Sequence, residues 1–235
     1  MTEIEQTIYE VGVHQLAVLQ AGPVDGPPVL LLHGIPARAR LWEQVMPPLA
    51  KARYRVFAPD LPGYGDTEID PSELKKPKLD QAYSLKGAGD LIAAWWRAEG
   101  HAQAKLVGHD IGGGVAQIFA CEHGDLVERL IISNSIVEDR WPVAAVSLIK
   151  SIAGLGLYPF AARTGGMKNP YTSHILRGSV ADRSKMTKQA ADHIFWHDKV
   201  STARGRTAFG HHLSALSPKQ LKSYGSKLRD IAAPV

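Results

Sequence analysis

The chain is poor in the features that mark several large protein classes. Its 235 residues contain one cysteine, Cys121, so an intrachain disulfide is excluded, and the helical pattern around it favours a buried structural thiol. No apolar run approaches the roughly 20 residues of a membrane span, and the acidic N-terminus lacks the basic and apolar segments of a secretory signal. With 45% hydrophobic and 21% charged residues, the composition is typical of a globular domain. We therefore expect a soluble, cytoplasmic protein with no membrane partner.

Positive charge is scarce in the first part of the chain and abundant in the second. Up to residue 135 there are 12 lysines and arginines against 17 aspartates and glutamates, whereas from residue 136 there are 15 against 6. The basic residues of the second part are scattered, and aromatic residues are not interleaved with them as in many nucleic-acid-binding surfaces. We therefore expect a solvated basic surface and no nucleic-acid partner.

Short apolar segments alternate with helical patterns in the first part of the chain. Segments rich in Val, Leu and Ile and bounded by turn-forming residues predict strands over residues 15–20, 28–33, 54–59, 105–108 and 127–133. Apolar residues at helical spacing predict helices over 41–52, 83–99 and 113–123, the second with Ser84 as its N-cap. This alternation predicts an α/β fold with a doubly wound, mostly parallel sheet.

The pattern becomes helical and basic after Asn134, with no strand signal up to about residue 224. We divide the chain into an α/β core over 1–135, a helical cap over 136–225 and the start of a return to the core over 226–235. The last of these segments is similar to the approach to a further strand. We therefore expect the last strands of the sheet to be missing, and an open sheet edge through which the chain can self-associate.

Candidate site residues follow the predicted strands, where open α/β sheets bind their ligands. The most informative segment is G-H-D-I-G at 108–112, which has the G-x-S-x-G spacing of a nucleophile elbow with Asp110 in the central position. Its glycines allow a tight strand-to-helix turn that exposes the central side chain, and the helix N-terminus stabilises negative charge there. The alternative is that Asp110 only caps the following helix.

Three motifs together resemble the α/β-hydrolase fold family. They are H-G-I-P at 33–36, A-P-D-L-P-G-Y-G at 58–65 and V-G-H-D-I-G-G at 107–113. An aspartate at the elbow is similar to the branch of epoxide hydrolases and haloalkane dehalogenases. The resemblance implies a hydrolase in which Asp110 attacks carbon and forms a covalent alkyl ester, which a histidine-activated water then hydrolyses. It also implies an oxyanion hole made by the backbone amides of Ile35 and Ile111, and no cofactor.

Departures from the family pattern narrow the expected substrate. Haloalkane dehalogenases hold the halide with a tryptophan after the nucleophile and often an asparagine after the His-Gly pair, but Ile111 and Ile35 stand at these positions. Epoxide hydrolases polarise the epoxide oxygen with cap tyrosines, for which Tyr158, Tyr171 and Tyr224 are candidates, the alternative being that they only pack in the cap. A small, hydrophobic, epoxide-like electrophile is therefore the favoured substrate, and a dehalogenase-like reaction is the second alternative.

Other polar residues are expected to be structural. His33 is interpreted as part of the hydrogen bonding of its loop, and Asp60 as a residue that stabilises a turn. His193 and His197 lie four apart, as metal ligands on one helical face can, but no third ligand is evident, so no metal site is predicted.

The sequence does not supply an evident catalytic acid and base. The resemblance puts the acid and the histidine after strands that follow the cap, or the acid after residues 127–133, where Asn134 and Ser135 stand and Glu138 and Asp139 are weak substitutes. Three interpretations stay open: a fragment of a full hydrolase, one part of a two-chain enzyme, and a non-catalytic remnant that binds a ligand or partner. Without a histidine, Asp110 could be alkylated but could not turn over efficiently.

Overall fold

A computed structural model describes residues 3–72, 76–137, 141, 144–164, 180–196 and 202–235. The six strands found there are β1 Glu5–Val11, β2 His14–Ala21, β3 Pro28–Leu32, β4 Arg55–Pro59, β5 Ala104–His109 and β6 Val127–Ser133. The α-helices are α1 Met46–Lys51, α2 Lys76–Ala82, α3 Leu85–Ala98, α4 Ile111–Glu122, α5 Ala144–Gly154, α6 Tyr158–Arg163, α7 Lys188–Ala191, α8 Ala203–Ala215 and α9 Pro218–Tyr224.

The strands form one sheet in the order β1-β2-β4-β3-β5-β6. The strands β4, β3, β5 and β6 are parallel to one another, and β1 and β2 add an antiparallel margin beside β4. The predicted α/β class with a mostly parallel sheet is thus confirmed. Because the parallel strands end at the same edge, the residues that follow β3, β4, β5 and β6 are brought to one side of the molecule.

The core forms where apolar residues cover the sheet. The central strand β3 is buried along nearly its whole length, as expected for a strand with helices on both faces. On one face α3 presents Trp95 and Trp96 to Phe57 of β4, with ring centroids 5.7 and 5.2 Å apart. The N-cap prediction for α3 is confirmed, since Ser84 Oγ accepts a hydrogen bond from the Gly87 N–H at 3.0 Å.

Three elements differ from the sequence prediction. The strand β1 was not expected, because its residues are mostly polar and only partly buried at the margin of the sheet. The helix expected over 41–52 is replaced by a 3-10 turn, Ala39–Trp42, and the short α1, whose first turn accommodates two prolines. The helix expected over 83–99 begins at Leu85, and a separate helix, α2, precedes it.

Aromatic rings join the cap to the core. Tyr64, in the loop after β4, lies 5.3 Å from Phe209 of α8 and 4.9 Å from the ring of His33, centroid to centroid. Phe209 in turn packs on Tyr158 of α6 at 5.3 Å. The cap helices are therefore held over the sheet edge that carries the predicted site. The domain boundaries at 135 and 225 stay predictions.

The final residues reach the outer edge of the sheet. After a 3-10 turn, Lys227–Asp230, the carbonyl of Pro234 accepts a hydrogen bond from the Leu130 N–H of β6 at 2.9 Å. A new strand does not form in this described segment. Within the part of the chain that the structure describes, no helix has both the length and the apolar character of a membrane span.

Candidate active site

The turn between β5 and α4 has the backbone strain of a nucleophile elbow. Asp110 adopts a φ of +55° and a ψ of −121°, a region that non-glycine residues rarely occupy. The flanking glycines are required by close backbone approach: a Cβ on Gly108 would lie 2.5 Å from the Gly113 Cα, and one on Gly112 would lie 2.4 Å from the Leu32 carbonyl oxygen. The G-x-D-x-G spacing thus packs the turn against the end of β3.

Two backbone amides converge on the Asp110 carboxylate. The Ile35 N–H, from the loop after β3, donates to Oδ1 at 2.9 Å, and the Ile111 amide at the start of α4 lies close enough to lower the pKa of the carboxyl. The side chain does not make the capping hydrogen bond to the first turn of α4 that an N-cap aspartate would make. The hydrogen bond that fixes the Asp110 carboxylate therefore comes from the loop after β3, through the Ile35 amide.

Burial raises the pKa of the Asp110 carboxyl above its ordinary value of 3.8. The Ile35 and Ile111 amides act in the opposite direction, because hydrogen bonds to a carboxylate favour the ionised form. A charged His109 beside it would also lower the pKa. The environment is thus partly desolvated, which makes a carboxylate more reactive toward an electrophile than it is in water.

The loop after β3 is built to bring the Ile35 amide to Asp110. A Cβ on Gly34 would lie 2.4 Å from the Asp110 Cβ, so only glycine allows this approach. His33 is completely buried; its Nε2 accepts the Leu61 N–H at 3.0 Å, which leaves Nδ1 to donate to the Gly34 carbonyl at 3.2 Å. With Nε2 occupied as an acceptor, the ring holds the loop in position, as the sequence predicted.

Asp60 fixes the loop after β4. Its Oδ1 accepts the Ala39 N–H at 2.7 Å and its Oδ2 accepts the Asp66 N–H at 3.0 Å, and the side chain is buried. A Cβ on Gly65, which has a φ of +51°, would overlap the Asp60 carboxylate. This geometry matches the turn-stabilising interpretation of Asp60.

A polar network that sequence reasoning missed supports the elbow from the side of β6. Asn134, just after β6, has a φ of +42°, and Ser135 Oγ donates to the Asp110 carbonyl at 3.2 Å. Gln117 of α4, buried, donates to Ser135 Oγ at 3.3 Å and to the Gly113 carbonyl at 3.0 Å. A glutamine inside an otherwise apolar helix was the one available signal for this network.

The structure places two of the three candidate tyrosines, and in different surroundings. Tyr158 is completely buried in α6 against Phe209, on the inner side of the cap. The hydroxyl of Tyr224 is hydrogen-bonded to Glu122, and burial together with this carboxylate raises its pKa to about 12. Glu122 is the last residue of α4, so it lies about 17 Å along the helix axis from the elbow. Tyr224 is therefore not brought to Asp110, and Tyr171 lies outside the described residues.

Two described histidines near the site contact backbone carbonyl groups through Nδ1. His109 Nδ1 lies 3.0 Å from the Ser133 carbonyl oxygen, and His212 Nδ1 lies 3.0 Å from the Tyr83 carbonyl oxygen. No described histidine is hydrogen-bonded to the Asp110 carboxylate. Of the acids considered, Glu138 and Asp139 lie outside the described residues.

The described residues hold no cluster of three or more side chains suited to a metal ion. His193 instead pairs with Glu43, Nε2 to Oε2, at 2.7 Å. Burial raises the pKa of the Glu43 carboxyl. The hydrogen bonds and charges of His193 and Arg40 lower it by more, so the pKa lies below its ordinary value. His197 lies outside the described part of the chain.

Comparison with known proteins gives relatives that include a haloalkane dehalogenase and an epoxide hydrolase. A haloalkane dehalogenase from Mycobacterium marinum is 35% identical over 119 residues, which are 51% of this chain and 38% of that enzyme. A soluble epoxide hydrolase from a Corynebacterium species is 33% identical over 158 residues, 64% of this chain and 50% of that enzyme. The matched segments thus span half or less of the length of these two relatives.

Solved structures share the fold along nearly the whole chain. Cfl2 from Burkholderia cenocepacia superposes with a TM-score of 0.76 at 23% identity, covering 97% of this chain and 76% of that one. The model of the alpha/beta hydrolase fold family matches residues 27–224. This range includes the elbow, the loops after β3 and β4 and most of the cap. The chain therefore belongs to the alpha/beta hydrolase fold family.

Proposed function

We propose that the protein carries out the nucleophilic step of an Asp-dependent hydrolase, with an epoxide-like electrophile as substrate. The observation that supports this most directly is the hydrogen bond from the Ile35 amide to the Asp110 carboxylate across a strained strand-to-helix turn, with the Ile111 amide beside it. A carboxylate that acted only as a helix cap would need neither the strained backbone at Asp110 nor a hydrogen bond from the loop after β3. Relatives named as epoxide hydrolase and haloalkane dehalogenase add support for this class of chemistry.

In the proposed reaction, one Asp110 carboxylate oxygen attacks a ring carbon of the epoxide. The carbon–oxygen bond of the ring breaks, and its oxygen leaves with the electron pair and takes a proton from an acidic group. The product is an alkyl ester of Asp110. No separate base is needed in this step, because a carboxylate is ionised above its pKa and serine would have required one.

Hydrolysis of the ester then needs water at its carbonyl carbon. The carbonyl oxygen becomes an oxyanion, and the Ile35 and Ile111 amides are positioned to stabilise it. Collapse of this intermediate releases a diol and restores the Asp110 carboxylate. We expect this second step to depend on a histidine that activates the water, as the resemblance to the family implies.

The substrate class follows from the side chains around the two amides. The Ile35 and Ile111 side chains offer no hydrogen bond to a departing halide, which is the reason for preferring an epoxide over a haloalkane. We keep Tyr158 as the candidate proton donor to the ring oxygen, since it lies on the inner side of the cap. A haloalkane substrate is the second candidate, supported by the dehalogenase relatives.

Mass spectrometry of the intact protein after exposure to an aryl epoxide tests this function. We expect one covalent addition, mapped to Asp110 by peptide analysis and absent in Asp110→Asn. The matched control is Asp60→Asn, which removes a nearby buried carboxylate that faces backbone amides. A folded wild-type protein that stays unmodified, while a chloroalkane modifies Asp110, would favour the dehalogenase alternative. No modification by either reagent would favour a ligand-binding remnant.

A further inference from the structure

The α5–α6 hairpin, residues 144–164, carries large apolar side chains on both of its faces. Its inner face contributes Ile149, Ala153, Tyr158 and Ala162 to the core. Its outer face exposes four large apolar side chains: Leu148 by 66%, Leu155 by 74%, Leu157 by 52% and Phe160 by 68%. A helix that packs only on its own domain has a polar outer face, so the outer face here needs a separate explanation.

The exposure is concentrated in this hairpin rather than spread over the surface. Every exposed leucine or phenylalanine among the described residues belongs to it, and the other exposed large apolar side chains are valines and isoleucines. Single exposed apolar residues are ordinary, whereas a contiguous group marks an interaction surface. We call the outer side chains of Leu148, Leu155, Leu157 and Phe160 the apolar patch.

The turn of the hairpin presents the patch rigidly. The Gly156 N–H donates to the Ala153 carbonyl at 2.8 Å and the Leu157 N–H to the Ile152 carbonyl at 3.0 Å, with Gly156 at a φ of +71°. The glycine thus ends α5 in the left-handed conformation that reverses the chain. Leu155 and Leu157 are fixed on either side of it, at the tip.

The charged residues within the hairpin have one sign. The hairpin contains Lys150 and Arg163 and no aspartate or glutamate, and the sequence has no acidic residue anywhere from 140 to 181. Arg163 is exposed and Lys150 partly so, and no ion pair joins either of them to another described residue. Two cations in the same hairpin as exposed leucine and phenylalanine are the composition of a surface that inserts into the head-group region of an anionic bilayer.

We propose that the α5–α6 hairpin attaches the protein to an anionic lipid surface. The apolar patch inserts at the boundary of head groups and acyl chains, and Lys150 and Arg163 contact the lipid phosphates. A second copy of the chain fits less well, because a symmetric contact would bring the cations of both hairpins together. The sequence predicted no membrane partner on the ground that no span or signal is present, and attachment to a surface requires neither. This proposal is independent of the reaction at Asp110.

Vesicle flotation tests the proposal with the full chain. We expect the protein to float with phosphatidylcholine vesicles that contain phosphatidylglycerol, to float less with pure phosphatidylcholine, and to be released by salt. The variant Leu155→Ser/Leu157→Ser/Phe160→Ser should bind vesicles at least about tenfold more weakly. The burial of even one leucine side chain in the bilayer contributes enough binding free energy for a change of about tenfold in affinity. Lys150→Gln/Arg163→Gln should lose the preference for anionic vesicles.

The matched control is Val13→Ser/Val24→Ser, which removes exposed apolar side chains elsewhere and should leave binding unchanged. Circular dichroism and thermal unfolding establish that each variant is folded, which is expected because all substituted side chains are at least half exposed or polar. A wild-type protein that does not float with anionic vesicles overturns the proposal, as does equal binding by the patch variant. If sedimentation velocity instead finds a dimer that the patch variant abolishes, the apolar patch binds a second copy of the chain, and the proposal that it binds lipid is wrong.

Discussion

Asp110 carries a carboxylate in an environment that opposes its charge. Its pKa is raised by burial and restrained by the amides of Ile35 and Ile111. A carboxyl whose pKa rises on folding binds its proton more tightly in the folded state. Its contribution to stability is therefore fully present below the ordinary value of 3.8 and is lost as the pH rises through the raised value.

The raised pKa of Asp110 predicts how the variant Asp110→Asn changes the free energy of unfolding. We expect the variant to be more stable than the wild type at neutral pH, since it removes a charge that folding desolvates, and to match the wild type at pH values below 3.8. Urea unfolding at a series of pH values measures the difference. Asp25→Asn, which alters an exposed carboxylate 3.7 Å from Arg53, serves as the control and should follow the wild-type curve. Equal stability of Asp110→Asn and wild type at every pH would contradict the prediction.

Gly34 is the residue whose absent side chain allows the two amides to meet Asp110. A Cβ there would lie 2.4 Å from the Asp110 Cβ and 2.9 Å from its Oδ1, so the variant Gly34→Ala must displace the carboxylate or the loop. We expect alkylation by the aryl epoxide to slow about a hundredfold, the effect of misplacing a reacting group by roughly 1 Å, and the free energy of unfolding to fall by about 1–3 kcal/mol.

The control for this variant is Gly154→Ala, at the end of α5, where an added Cβ meets nothing within 4 Å. It should alkylate at the wild-type rate. The rate comparison is made below the unfolding temperature of both variants. Wild-type kinetics in Gly34→Ala would show that the Ile35 amide does not position the nucleophile.

At the scale of elements, the cap is held to the core by a chain of rings that passes through Phe209. Phe209 contacts Tyr64 in the core and Tyr158 in the cap, each at 5.3 Å between centroids, and is almost completely buried. We expect Phe209→Ala to lower the free energy of unfolding by about 3–5 kcal/mol, since it leaves a cavity where cap and core meet. Phe160→Ala, which shortens an exposed ring of the same cap, should change it by less than about 0.5 kcal/mol. Chemical denaturation compares the two, and similar losses would mean that Phe209 does not join the layers.

The sequence pattern correctly predicted those helices and strands that depend mainly on residues close together in the chain. The strand expected over 127–133 is observed as Val127–Ser133, and the cap of α3 at Ser84 is confirmed, because apolar runs and capping bonds act within a few residues. The helix after the elbow begins at Ile111 rather than at 113, so that Asp110 alone separates it from β5. None of the residues of the edge strand β1 is fully buried, so the strand lacks the alternating apolar pattern from which it could have been predicted.

Contacts between distant segments could not be predicted in the same way. The motif spacing identified Asp110 and the two amide positions, but it gave no sign that Gln117 reaches Ser135, because that contact depends on how α4 lies beside the end of β6. Tyr224 became a candidate from its place in the cap sequence. Its hydroxyl lies beside Glu122 at the far end of α4, whereas Leu221 of the same helix packs near Gly114, and a helical period does not reveal such an orientation.

At the scale of the whole molecule, β6 forms one margin of the sheet that the structure describes. Pairing on its outer side consists of the Leu130 N–H with the Pro234 carbonyl, and Ile131 is 45% exposed there. An edge strand with an exposed apolar residue and unpaired backbone groups is a template for pairing with another chain. We therefore expect concentration-dependent self-association through β6, separate from any contact of the cap hairpin.

The variant Ile131→Lys tests this edge. In an antiparallel pair of β6 strands the new lysines face each other or lie close together, and like charges across an interface cost several kcal/mol, so association should weaken by at least about tenfold. Sedimentation velocity over a range of concentrations measures the change, with Val24→Lys as a control that adds the same charge in an exposed loop. Because Leu155→Ser alters the cap and not the sheet, it should leave this association intact. A wild-type chain that remains monomeric at every concentration would show instead that the Pro234 contact and the β6 side chains already protect the edge.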